Sequence, residues 1–275
     1  MRLMYFFVAL LLLPTMSNAQ NIEAGLFLGL STYSGELAYN SIEPTEIGIS
    51  YGFVGRYNLK DYLSLKAGLY FGNVSGTDAN AESQALRERN LSFESQIIEF
   101  HITPEYNIHS FTLPSSHVIT PYIYLGISGF YFNPKTEYQG ALVELQPLST
   151  EGQGLPGFDP QYSRYAFAIP FGLGVKLALS NTTTIALEMG MRYSFTDYLD
   201  DVGGLYPDPV LLEESYGTLS AALSNRTPEF TGLPIEIEDA TGRRRGNPDT
   251  NDWFYFAGVT ITLNLMEDPK DSKKK

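Results

Sequence analysis

The chain has 275 residues, with 31 acidic against 18 basic side chains and a formal net charge of −13, which makes it a poor partner for nucleic acid. It contains no cysteine, so disulfides, thiolate metal sites, a thiol nucleophile and lipid attachment through an N-terminal cysteine are excluded. Its 25 glycines, 19 tyrosines and 17 phenylalanines beside a single tryptophan, with little helical periodicity, favour an all-β protein with an aromatic-rich surface.

Residues 1–19 read as a secretory signal peptide. Met1 and Arg2 give a positive start, residues 3–14 are an apolar run, and Ser17-Asn18-Ala19 supplies small residues for cleavage before Gln20. The run is too short to cross about 30 Å of hydrocarbon as a helix, which takes roughly 20 residues, and no later segment supplies them.

Eight segments of apolar/polar alternation follow, at 22–32, 46–59, 62–74, 92–108, 118–132, 162–179, 183–196 and 252–265. In the seventh, Ile185, Leu187, Met189, Met191, Tyr193 and Phe195 alternate with Ala186, Glu188, Gly190, Arg192 and Ser194. Side chains of a strand point to opposite faces in turn, so one face is apolar and the other carries charge. The connections alternate as well. Those at 59–62, 109–117 and 180–182 are short, whereas 33–45, 76–91, 133–161 and 197–251 are long and rich in Pro, Gly, Asp and Asn. Long alternating strands with short turns at one end and long loops at the other predict an eight-stranded antiparallel transmembrane β-barrel of OmpA/OmpX size over residues 20–265. Its short turns and both termini lie in the periplasm, its long loops outside the cell, and residues 266–275 form a charged periplasmic tail.

Alternation assigns the faces. Outward, against lipid, lie residues such as Leu26, Leu28 and Leu30, Ile49 and Phe53, Leu65 and Leu69, Ile123 and Leu125, Phe167 and Leu173, and Ile261 and Leu263. Inward lie Glu23, Arg56, Lys66, Glu99, His101, Glu105, Lys176, Glu188 and Arg192. A barrel of eight strands is about wide enough for its own side chains, and buried charges persist only when paired. Four acids against four bases therefore predict a plugged interior. Interface girdles account for Tyr57 and Tyr62 near the short turns, and for Tyr70, Tyr131, Tyr193, Trp253 and Tyr255 near the long loops. Pro170 inside a strand removes a ladder donor and predicts a bulge or local gap.

Chemistry finds little purchase. His101, His109 and His117 are evenly spaced, but one sits on a strand face and two flank a turn, so they do not converge on a metal. His101 with Ser128 or Ser194 is the only conceivable hydrolytic pairing, and no Gly-x-Ser-x-Gly elbow is present. Gly25 and Gly29 share a strand face and relieve crowding. Residues 197–201 (Asp-Tyr-Leu-Asp-Asp) offer oxygen ligands for calcium but lack a dedicated loop spacing, and read more simply as a solvated acidic loop. Residues 213–224 read as a short helix over the barrel mouth, a lid or a docking face. The chain is read as no enzyme, with no metal and no cofactor.

Two stretches carry a family likeness. The start, Glu23 to Gly29 followed by Ser34-Gly35-Glu36-Leu37, and the segment from Arg245-Gly246-Asn247 to Asp252-Trp253 at the entrance of the last strand resemble the PorG-like outer-membrane barrel family of Bacteroidota. Glu36 stands where that family more often has Asp. The resemblance implies a small barrel that does not itself carry cargo, sitting in the outer membrane beside the type IX secretion and gliding machinery and contacting a periplasmic ring lipoprotein. A general surface barrel for adhesion or envelope integrity is the alternative. Arg243 to Arg245 have acidic loop neighbours in Glu236, Glu238 and Asp239. Lys273 to Lys275 make the tail basic, either for solubility or for electrostatic docking in the periplasm.

Overall fold

In the computed structural model, the structure describes residues 22–39, 44–111, 113, 118–234 and 241–265. The signal peptide, the charged tail, His117 and the acidic trio Glu236, Glu238 and Asp239 lie outside the described residues. Ten strands form one antiparallel sheet: β1 (Ile22–Ser34), β2 (Gly48–Lys60), β3 (Leu63–Thr77), β4 (Ser92–Asn107), β5 (Ile119–Leu125), β6 (Ile127–Tyr138), β7 (Ala141–Glu144), β8 (Tyr165–Ala178), β9 (Thr183–Ser194) and β10 (Trp253–Asn264). β3 pairs with β4 and β1 with β10, so the sheet closes on itself. Closure leaves no open edge in the barrel wall, as a hydrocarbon surround demands; only β7, outside the wall, pairs on one side alone.

Nine of the ten strands make eight staves, as alternation predicted, and β7 stands outside them. β5 and β6 are one stave, since both pair with β4 on one side and β8 on the other without a change of register. The break between them faces Pro170, the expected local gap. Gly126 N–H donates to Pro170 O at 2.9 Å, but proline has no N–H to return to Gly126. β7 departs from the sequence reading, which left 133–161 wholly as loop. The fifth stave runs on to Tyr138 and folds back through a two-residue turn, with Gln139 and Gly140 at φ 51° and 80°. That primed turn is usually signalled by Asn-Gly, and Gln-Gly hides it.

Outside, the wall is apolar. Leu28, Ile49, Phe167 and Leu173 are 63%, 74%, 72% and 62% exposed, and the band continues through Phe53, Ile123, Leu187 and Ile261. Soluble monomers rarely expose contiguous apolar patches above a few hundred Å², and an apolar belt all round a barrel is what lipid covers. No helix among the described residues is long and apolar enough to cross a membrane; the strands do so. Trp253 packs edge-on to Tyr193 and Phe171 at 5.0 and 6.1 Å, an exterior aromatic patch at the long-loop end. Tyr70, assigned above to that girdle, is fully buried and stacks on Phe27 at 4.3 Å. Its even number between outward Leu69 and Phe71 puts it on the inner face.

The long connections carry short helices: α1 (Gln84–Arg89), α2 (Pro209–Tyr216), α3 (Thr218–Ser224) and α4 (Thr227–Thr231). The helix expected at 213–224 is thus two, broken at Gly217 with φ 90°. Asp208 caps α2 by accepting from Val210 N at 2.8 Å, and Pro209 at the first helical position needs no donor. At the other end Phe111 is buried and its N–H donates to Asp61 O at 2.9 Å, so the β4–β5 connection folds back on the β2–β3 turn.

Leu173→Arg places a charge near the middle of the apolar belt. Folding into phospholipid vesicles followed by urea titration is expected to show a loss of about 2–4 kcal/mol; an unchanged midpoint contradicts a lipid-facing wall.

Candidate functional site

The lumen is filled by side chains. All nine inward residues, Glu23, Arg56, Lys66, Glu99, His101, Glu105, Lys176, Glu188 and Arg192, are buried. Arg56 Nη1 donates to Glu23 Oε2 at 2.6 Å, and its Nε donates to Glu105 Oε2 at 2.8 Å. Glu105 also takes Lys176 at 2.7 Å and faces Lys66 at 3.5 Å. Lys66 reaches on to Glu188 at 2.8 Å, whose carboxylate accepts the hydroxyls of Tyr70 and Tyr122. One step nearer the long loops, Arg192 Nη2 lies 3.2 Å from Glu99, and His101 Nδ1 stands 3.3 Å from the same carboxylate. Aromatic rings complete the filling: Phe256 packs under the Arg192 guanidinium at 4.7 Å, and Phe254 and Phe130 meet at 5.0 Å. Glycines make the room. A Cβ on Gly72 would fall 2.5 Å from the Phe256 ring.

This arrangement does not assemble a hydrolytic centre. His101 faces Ser128 across the β4–β6 ladder, but Ser128 Oγ donates to Ala168 O at 3.4 Å. Ser194 Oγ donates to the carbonyls of Asp252 and Thr196. His101 is sealed in the lumen while His109 is exposed at the short-turn end.

A second layer covers the long-loop end, and the family-signature residues organise it. Arg245 is buried; it pairs with Glu151 at 3.0 Å and with Asp201 at 3.5 Å, and its Nε donates to Ser224 O at 3.0 Å. One guanidinium thus ties the β7–β8 connection to two points of the β9–β10 connection. Gly246 is glycine because a Cβ there would meet the Val202 and Gly203 backbone at 2.8 Å. Asn247 N–H donates to Glu36 Oε1 at 3.3 Å. Asp252 is fully buried and its Oδ2 accepts from Leu199 N at 2.9 Å. Trp253 lies on the exterior of the wall, beside Tyr193 and Phe171. Among the described residues Arg245 is paired with Glu151 and Asp201, and Arg244 lies 3.8 Å from exposed Asp249.

The acidic run at 197–201 is not the solvated loop the sequence suggested. Asp200 and Asp201 are buried; Asp201 accepts from Thr150 and Tyr162, and Asp200 accepts from Tyr33 and from Val202 N. Asp197 points elsewhere, into a group with Glu36 and Asp252 in which one oxygen from each carboxylate lies within 4.8 Å of the others. Burial first, and then the neighbouring carboxylates, push the Asp197 carboxyl up to about 9. The same causes push Asp252 and Asp200 well above the usual carboxylate range. Burial likewise raises Glu36. The sequence reading set Asp197 aside within a solvated acidic run, named Glu36 only in the family likeness, and did not name Glu151. Barrel closure was the available signal, because pairing of β1 with β10 and of β10 with β9 brings residues just beyond Ser34, Ser194 and Trp253 to one rim.

Residues 2–220 match the family described as a domain of unknown function, DUF6089. The chain belongs to that family. The matched span stops short of the Arg245–Trp253 segment. Among solved structures, Neisserial surface protein A is similar at 9% identity and a TM-score of 0.41, covering 90% of this chain and 98% of that one. The outer membrane protein OprG from Pseudomonas aeruginosa gives the same identity, TM-score and coverage. Ail, the attachment invasion locus protein of Yersinia pestis, is similar at 8% identity and a TM-score of 0.36, covering 90% and 97% of the two chains. No curated protein matches the chain.

Arg245→Ala leaves Glu151 and Asp201 buried without their cation, at a cost of about 3–5 kcal/mol. Limited proteolysis should then cut the 197–251 connection at least tenfold faster, while the barrel keeps its heat-modifiable migration in detergent gels. Unchanged cleavage would remove Arg245 from its role as the tie.

Proposed function

We propose that this chain is a sealed, non-catalytic outer-membrane barrel that works by contact and not by transport, as a structural or assembly component of the type IX secretion and gliding machinery. The observation that supports it is the filled interior. Salt links and rings occupy the lumen from Glu23 to Phe254, so what the protein offers to others is its two ends. The periplasmic end, with its short turns and basic tail, docks a ring lipoprotein of the machinery; the PorG-like residues support that choice of partner. Outer-membrane lipid is the other partner, covering the apolar wall, and signal-peptide removal near Ala19 precedes insertion.

The outward end favours a second reading, a surface barrel for adhesion or envelope integrity. There α2, α3 and α4 with Tyr138 border a groove of about 320 Å³, lined by Val210, Ala221 and Ala222 among others.

Two measurements decide. Mild-detergent pull-down of the tagged barrel is expected to recover a periplasmic ring lipoprotein, and a deletion strain is expected to lose export of proteins bearing a type IX signal. Recovery of the barrel alone with intact export, together with an attachment defect on deleting residues 209–231, moves the assignment to the second reading. Planar-bilayer recordings should show no steady conductance, and an open-channel current contradicts the sealed lumen.

A further inference from the structure

The geometry points to a calcium-type divalent-cation site built by Glu36, Asp197 and Asp252 at the long-loop rim, clasping the first long connection to both ends of the last. Three observations carry it. First, an oxygen from each carboxylate lies within 4.8 Å of the others, and two ligands on opposite sides of a calcium ion at about 2.4 Å stand about 4.8 Å apart. Second, each of the three carboxylates keeps an inaccessible oxygen that accepts no hydrogen bond among the described residues: Asp252 Oδ1, Glu36 Oε2 and both oxygens of Asp197. Asp252 itself is fully buried, and an unpaired buried carboxylate oxygen is among the costliest groups a protein can hold.

Third, the nearby protein cations are committed elsewhere. Arg89 forks onto Asp78 at 2.7 and 2.8 Å, and Arg245 is held by Glu151 and Asp201. Asp200, also buried, brings a further carboxyl close to Asp252. The remaining hydrogen bonds orient the ligands without consuming the converging oxygens: Leu199 N–H holds Asp252 Oδ2, and Asn247 N–H holds Glu36 Oε1. Gly35 clears the space, since a Cβ there would fall 2.0 Å from Asp252 Oδ1. An all-oxygen, three-carboxylate set suits calcium, which accepts irregular geometry. Magnesium keeps most of its water and usually takes one or two carboxylates.

Asp197→Asn is the discriminating variant, because the Asp197 carboxylate makes no hydrogen bond that the substitution would break. The full barrel, folded in detergent, is titrated with calcium chloride alone, and its unfolding temperature and loop proteolysis are compared in calcium and in EDTA. Saturable binding is expected with a dissociation constant on the order of 10⁻⁴ M, as in extracellular calcium modules. Calcium should raise the unfolding temperature and slow loop cleavage. Asp197→Asn and Glu36→Gln should each weaken binding by about tenfold or more, yet match or exceed the wild type in EDTA, where they only relieve repulsion. Terbium luminescence sensitised by Tyr33 should appear in the wild type and vanish in both variants. A wild type indifferent to calcium overturns the site and leaves a cluster of protonated acids. So does an Asp197→Asn barrel that responds to calcium as the wild type does. An equal response to magnesium overturns the calcium assignment.

Discussion

An eight-stave barrel closes on an interior that holds side chains and little else, so every charge placed there must be answered inside it. Four acids and four bases meet that condition in this chain through links that cross the lumen. β2 reaches β1 and β4 through Arg56, β4 reaches β8 through Glu105 and Lys176, and β3 reaches β9 through Lys66 and Glu188. Replacing such links with well-packed apolar residues is often neutral or stabilising, so stability alone does not explain them. They do penalise misalignment. A slip of one residue turns a whole strand inside out, and here it would push charge into hydrocarbon and leucine into a polar lumen.

The same exclusion of water governs the long-loop end by different means. Long connections usually stay solvated because their backbone needs partners. This barrel buries Leu37, Leu199, Val202, Leu212 and Leu223 beneath its loops and supplies missing partners from carboxylates and from Arg89 and Arg245, whose guanidiniums donate to loop carbonyls. Arg245 answers two acids, whereas among the described residues no arginine or lysine forms an ion pair with the rim group of Glu36, Asp197 and Asp252. The cap is therefore an unevenly neutralised layer on an evenly neutralised plug, and the imbalance is confined to one rim.

Much of this was open to reading along the chain, because strand alternation is local. Parity alone puts Leu28 and Leu173 outside, and Glu188 and Arg192 inside. Parity also placed Tyr70 inside, although its composition invited the girdle reading. The Pro170 gap follows from a missing N–H and needs no knowledge of the fold. The β6–β7 hairpin was hidden, because its Gln139-Gly140 turn lacks the usual asparagine and its strands stand clear of the membrane, where no hydrophobic pattern is imposed.

Amino-acid order by itself determined the barrel: its stave number, its faces and the charges inside it, since each depends on neighbours one or two residues away. Only the tertiary structure decided which charges meet. Arg245 finds Glu151 across 94 positions, and Glu36 joins Asp197 and Asp252, because closing the barrel sets β1 beside β10 and the loops then fold over the rim they share. Solvation separates these outcomes. A residue written as polar in a loop looks the same in sequence whether water or another carboxylate will face it, and the difference arises only when the cap excludes the water.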